Sequence, residues 1–132
     1  MIVREHSVGQ LEITVTAGET GPVVTLSGES DQSVTGQLRY ALDPLISGSA
    51  QHVTVDISRL RFADSAAIRV LLEADRALRR AGGFLELMFP QPVVAVALHI
   101  MGVDRILTIR TQAGTGTDGA GADASLRAFP IR

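Results

Sequence analysis

An α/β layer with part of its sheet parallel is the fold class this chain predicts. Three observations carry it: strand-like and helix-like runs alternate through residues 11–110, Gly and Pro punctuate the joins, and the length and composition suit one packed domain. With 132 residues, 45% hydrophobic and 20% charged, the chain can bury one core but not two comfortable ones. Alternating strands and helices imply right-handed crossovers, which make the strands they link parallel.

The elements follow in order. LEITVT (11–16) and VVTLSG (23–28) are β-branched and partly alternating, and the AGETGP between them carries two Gly and a Pro, so they read as a hairpin. Beyond GESD, residues Val34, Leu38, Ala41, Leu42 and Leu45 fall near helical spacing over 32–46, with Asp31 as N-cap, Gly48 past the end and Pro44 disturbing the last turn. HVTVDI (52–57) puts Val53, Val55 and Ile57 on one face of a central strand, followed by a short loop.

Over 66–81, Ile68, Leu71, Leu72, Ala74 and Leu78 form a broad apolar arc. Arg69, Glu73, Arg76 and Arg80 recur at i, i+4, i+7 and i+11, a solvated stripe with intrahelical ion pairs. Gly82-Gly83 stops that helix and FLELMF (84–89) alternates as a strand. Pro92 opens a third helix over about 92–101, Gly102 caps it, and RILTIR (105–110) supplies the last strand. The order is ββαβαβαβ. From residue 111 Gly, Thr and Ala dominate, so 111–121 reads as flexible and 122–129 as at most a short C-terminal helix. The domain therefore spans 1–110 and the tail 111–132.

Composition narrows the function. A net charge of −2, with no Lys/Arg run interleaved with aromatics, disfavours nucleic acid. The absence of Cys removes disulfides and thiolate metal sites and fits a reducing compartment. The N-terminal residues lack the basic start and apolar run of a signal peptide. The most apolar run, PVVAVALHIMGV (92–103), is shorter than the roughly 20 residues of a membrane span. A cytoplasmic protein without direct membrane insertion is expected.

Chemical motifs are few. GTGTDG (114–119) formally satisfies G-x-G-x-x-G, but only 13 residues follow it, too few for the helix and acid-bearing strand a dinucleotide site needs. His6, His52 and His99 lie in three elements with no i, i+4 pair, so no metal site is expected. No G-x-S-x-G elbow occurs and no His is placed to activate a Ser, so neither a catalytic residue nor a cofactor is expected. What remains is Asp64-Ser65 in RFADSAAIRVLLEADRALRR (61–80). Either residue is a favoured N-cap, and the residues alone leave open whether Ser65 is a cap or a chemical handle.

Three segments in collinear order, LSGESD (26–31), VTVDISRLRFADSAAIRVLLEA (53–74) and PQPVVAVALHIMGVDRILTI (90–109), resemble the STAS domain of the anti-sigma factor antagonist family. They are similar to its L-x-G-E-hydrophobic-D signature, its D-L-S-x-x-x-F-hydrophobic-D-S-S/T-G-L core and its P-x-V-containing ending, and together span about residues 11–110. The resemblance implies a STAS-like mixed sheet covered by helices and a non-enzymatic role. It implies binding to an anti-sigma factor with serine/threonine-kinase activity of the histidine-kinase-like ATPase type, release of a sigma factor, and inactivation by phosphorylation of the Ser after the Asp, by position Ser65. Asp31, Asp64, Ser65, Ala66 and Arg69 are then the partner-binding residues.

A phosphate at a helix N-terminus is tolerated by the dipole and the free N–H groups. With Asp31 and Asp64 beside it, the surface would become strongly negative and repel an acid-bearing partner. Where the family has Ser or Thr, then Gly, and a further Gly, this chain has Ala66, Ala67 and Arg69, and Ser30 replaces the usual apolar residue of the early signature. Ala stiffens the turn relative to Gly. Arg69 sets a cation four residues beyond Ser65 on the same helix face, able to cradle a phosphate or to alter partner choice. These departures favour the alternative: an unphosphorylated STAS scaffold in a signalling complex, or a soluble subunit of a lipid ABC transporter.

Overall fold

The chain, described by a computed structural model over residues 2–8, 10–48 and 52–111, builds a six-stranded sheet whose strands lie in sequence order. The strands are β1 (Ile2–Val8), β2 (Leu11–Ala17), β3 (Pro22–Ser30), β4 (His52–Ala63), β5 (Phe84–Met88) and β6 (Thr108–Arg110). β1, β2 and β3 pair antiparallel, while β3 to β6 run parallel. Three helices make the parallel connections: α1 (Thr35–Ser47), α2 (Ser65–Arg80) and α3 (Pro92–Ile100). Each connection steps one strand further in the same direction, so right-handed crossovers put all three helices on one face. Ile13, Leu26, Leu38, Val55, Ile68, Leu87 and Leu98, contributed by seven different elements and each no more than 1% exposed, join a single core there.

The order ββαβαβαβ is present, preceded by one further strand, β1. Its residues IVREHSV show no clean alternation, and pairing with β2 from Ile2↔Thr16 to Val8↔Leu11 supplies what local pattern does not. The helix expected over 32–46 starts later. Gln32–Val34 form a 3-10 turn, α1 begins at Thr35, and it runs past Pro44 to Ser47. Asp31 is accordingly not the N-cap of α1, whose cap position is Val34; its carboxylate serves the 3-10 turn instead.

The short loop expected after residue 57 is strand as far as Ala63. Two β-bulges explain the missing pattern. Thr25↔Asp56 is followed by Ser27↔Arg59, and Gly28↔Leu60 by Glu29↔Phe62, so β4 twice carries an extra residue and its alternation is broken. The last strand is shorter than expected because Val103–Arg105 form a 3-10 turn. The expectations for 112–132, including the flexible stretch, the short helix and GTGTDG, lie outside the described residues.

Candidate functional site

Parallel neighbours end at the same edge of a sheet, so the segments that follow β3 and β4 lie side by side. Their last residues are in register, Ser30↔Ala63, and the Asp64 N–H donates to the Ser30 carbonyl at 3.1 Å. The GESD and ADSA stretches, 35 residues apart in sequence, are thus one surface. The glycine of GESD, inside β3, permits a close approach to the backbone before β2. Gly28 has φ +106°, and a Cβ on it would lie 2.0 Å from the Gln10 carbonyl oxygen, which accepts from the Glu29 N–H at 3.1 Å.

Both aspartates of the expected site do structural work. Asp31 accepts from the Ser33 N–H at 2.9 Å and from the Ser33 hydroxyl, while its carbonyl accepts from the Val34 N–H at 3.1 Å and the Thr35 hydroxyl at 3.0 Å. The bonds from Ser33, its hydroxyl first and its N–H next, hold the carboxyl below the usual aspartate value. It is therefore ionised at neutral pH. Asp64 is the N-cap of α2: extended at φ −85° and ψ −179°, it accepts the Ala67 N–H on its carboxylate at 2.9 Å and the Ile68 N–H on its carbonyl at 3.1 Å.

The choice left open by the residues is settled as to capping: Asp64 takes that role. Ser65 is the exposed first residue of α2, and among the described residues its hydroxyl makes no hydrogen bond. The N–H groups of Ser65 and Ala66 face the open helix end, where no earlier turn supplies an acceptor. An anion placed there meets two uncommitted donors and the positive end of the helix dipole.

Around Ser65, Ala66 is half-buried, Ala67 is buried at 1% and Arg69 is exposed. The expected intrahelical ion pair of Arg69 with Glu73 does not form. Glu73 instead binds Arg39 across the α1–α2 interface at 2.8 Å, which leaves Arg69 without an acidic partner among the described residues. The second bulge makes Arg61 the additional residue and turns both Arg61 and Phe62, the latter 45% exposed, toward solvent beside the Asp64 loop. Arg61 reaches Glu29 only at 3.8 Å. Neither residue was singled out from sequence, although Phe62 lies inside the ADSA-bearing segment; the bulge that exposes it has no local sequence mark.

Other candidates are weak. The groove between α1 and α2, lined by Arg39, Leu42, Ile46, Val70, Glu73 and Ala74, holds about 180 Å³, below the ~300 Å³ at which small-molecule pockets begin. His52 stacks on Phe84 with ring centroids 4.5 Å apart and bonds Thr20 at 3.0 Å, while His99 bonds Asp104 at 2.9 Å. No group of three or more potential metal ligands occurs among the described residues. Nor is any helix among them long and apolar enough to cross a membrane.

Comparison with known proteins gives a consistent picture. A family model described as "Mlab, STAS domain" matches residues 13–109. Among curated proteins nothing matches. The fold is similar to that of an anti-sigma factor antagonist from Mycobacterium paratuberculosis, with a TM-score of 0.70 at 20% identity, covering 86% of this chain and 92% of that one. It is also similar to the anti-sigma factor antagonist SpoIIAA in its unphosphorylated form (TM-score 0.66, 22% identity, 89% of this chain, 97% of that one). A Moorella thermoacetica RsbS variant matches with a TM-score of 0.63 at 26% identity, over 86% and 97% of the two chains.

Proposed function

The chain belongs to the STAS domain family, and from that premise we propose that it is an anti-sigma factor antagonist switched by phosphorylation of Ser65. In this reading the surface formed by Asp31, Asp64, Ser65, Ala66 and Arg69 binds a kinase-like anti-sigma factor of the histidine-kinase-like ATPase type, a sigma factor is released, and the same kinase ends the interaction. The observation that carries the reading is the state of Ser65: exposed, at the first position of α2, with the capping role already filled by Asp64. Solved structures of similar fold support it, among them SpoIIAA in its phosphorylated form, with a TM-score of 0.60.

The chemistry asked of this chain is that of a substrate and a docking surface. A phosphate on Ser65 adds about −1.5 to −2 charge beside the ionised Asp31 and the capping carboxylate of Asp64. Arg69 offers one cation in return and Arg61 another, the latter shared with Glu29 at 3.8 Å, so the surface stays net negative. A hundredfold loss of affinity requires only about 2.7 kcal/mol, within reach of like-charge repulsion at a partly desolvated contact.

Affinity capture from lysate of the native organism, with Ser65→Ala and Ser65→Asp baits quantified by mass spectrometry, tests the proposal. A kinase-like anti-sigma factor enriched on the Ala bait and lost from the Asp bait is the expected outcome; equal recovery on both would overturn the switch. The exposed Arg69, in a turn stiffened by Ala66 and Ala67, favours a second reading: a constitutive scaffold or the soluble subunit of a lipid ABC transporter. For that, both baits return the same partners, and a transporter ATPase among them identifies the membrane version.

A further inference from the structure

α3, in the same helical layer, has one polar side chain, His99, which is occupied by Asp104 at 2.9 Å. Its sequence PVVAVALHI carries no Lys, Arg, Asp or Glu. Val94, Ala95 and Leu98 are buried against the sheet, but Val93 and Ile100 stand 56% and 77% exposed, and Met101 and Ile106 in the turns that follow are 40% and 47% exposed. Only Tyr40 and Phe62 complete the group of large exposed hydrophobic residues among those described, so the patch is concentrated in 93–106. A helix with large apolar residues on its outer as well as its buried face ordinarily has both faces covered.

We propose that the outer face of α3, from Val93 to Met101 together with Ile106, is the docking site of this chain's own C-terminal segment, with Leu126, Phe129 and Ile131 as its contacts. The proposal does not depend on the Ser65 switch. The position of the exit point supports it. The Phe89 N–H donates to the Arg110 carbonyl at 2.7 Å, so the end of β6 lies beside the loop that opens α3 at Pro92, and the chain continues from there.

The pattern of the remaining residues fits as well. Residues 112–125 contain no large apolar side chain, and Leu126, Phe129 and Ile131 then fall together at the end. Fourteen residues can bridge at most about 46 Å. The nine residues of α3 are about 14 Å long, so the apolar group reaches any point on the patch. A segment tethered at that distance has an effective concentration near the millimolar range, which makes its own chain a stronger competitor for the patch than a dilute second copy.

The chain contains no cysteine, so the full-length double variant Ile100→Cys with Phe129→Cys holds the only two thiols. Under mild oxidation at low micromolar concentration, a monomeric disulfide is expected about tenfold faster than in the control pair Glu12→Cys with Phe129→Cys, since Glu12 is exposed on β2 at the other side of the sheet. In a separate full-length variant, Leu126→Ser with Phe129→Ser should lower hydrogen-exchange protection of the α3 amides. Equal rates for the two thiol pairs, a disulfide formed only between two chains, or α3 protection unchanged by the serine pair would each overturn the proposal.

Discussion

At the scale of single residues, the site is built from short polar side chains that satisfy backbone groups before they can meet a partner. Asp64 shows the double demand: its carboxylate takes the Ala67 N–H at 2.9 Å while the residue also lines the surface around Ser65. Asp64→Ala should therefore destabilise the fold by about 1 kcal/mol, read as a lower urea midpoint with an unchanged slope, and Asp64→Asn should recover most of the loss. A midpoint equal to wild type for the alanine variant would mean that the cap contributes nothing. Sequence reading found both cap candidates at this junction but could not rank them, because Asp and Ser are similarly favoured and only the bond to Ala67 decides. Ser30 was marked only as a departure from an apolar position. It proves fully buried with a hydroxyl that lacks a hydrogen-bond partner, a context no local pattern displays.

Elements are held together by a polar contact that hydrophobic periodicity misses. Asp75 sits on the buried side of α2 at 0% exposure, pairs with Arg79 at 2.8 Å and accepts the Leu85 N–H at 3.0 Å, tying the helix to the start of β5. The apolar arc read from 66–81 passes over it, since a search for apolar spacing discards a carboxylate, although its i, i+4 relation to Arg79 is visible. Asp75→Ala leaves the buried Leu85 amide without its acceptor, while Arg79, 48% exposed, stays solvated, and should cost about 2 kcal/mol. The Arg39–Glu73 pair between α1 and α2 is half exposed, at 50% and 43%, and Glu73→Ala should cost no more than about 1 kcal/mol. Parallel urea titrations distinguish the two, and similar losses would contradict the burial argument. Regular segments such as β2, β3 and α2 were legible because side-chain period and burial agree. The far half of β4 was not, because in SRLRF two bulges break the period, and the same bulges bring Arg61 and Phe62 to the site.

For the molecule as a whole, the sequential strand order and single-sided helices put the starts of α1 and α2 at one edge, and the surface proposed as a switch lies there. The linear motifs made Ser65 and Asp31 legible through family resemblance, whereas the exposure of Arg61 and Phe62 beside them required the fold. The same topology says how a switch there should act. Ser65 is exposed, and a negative charge at the first position of a helix gains from the dipole, typically 0.3–1 kcal/mol, while the adjacent Asp64 carboxylate opposes it by a comparable amount. The two effects nearly cancel. Ser65→Asp, which takes the net charge of the chain from −2 to −3, should then shift the thermal midpoint by less than about 4 °C and leave unfolding cooperative by circular dichroism. A much larger fall would show that modification works by loosening α2, and binding would be lost through unfolding. A midpoint near wild type, combined with loss of the partner, places the whole effect in the charge of the surface.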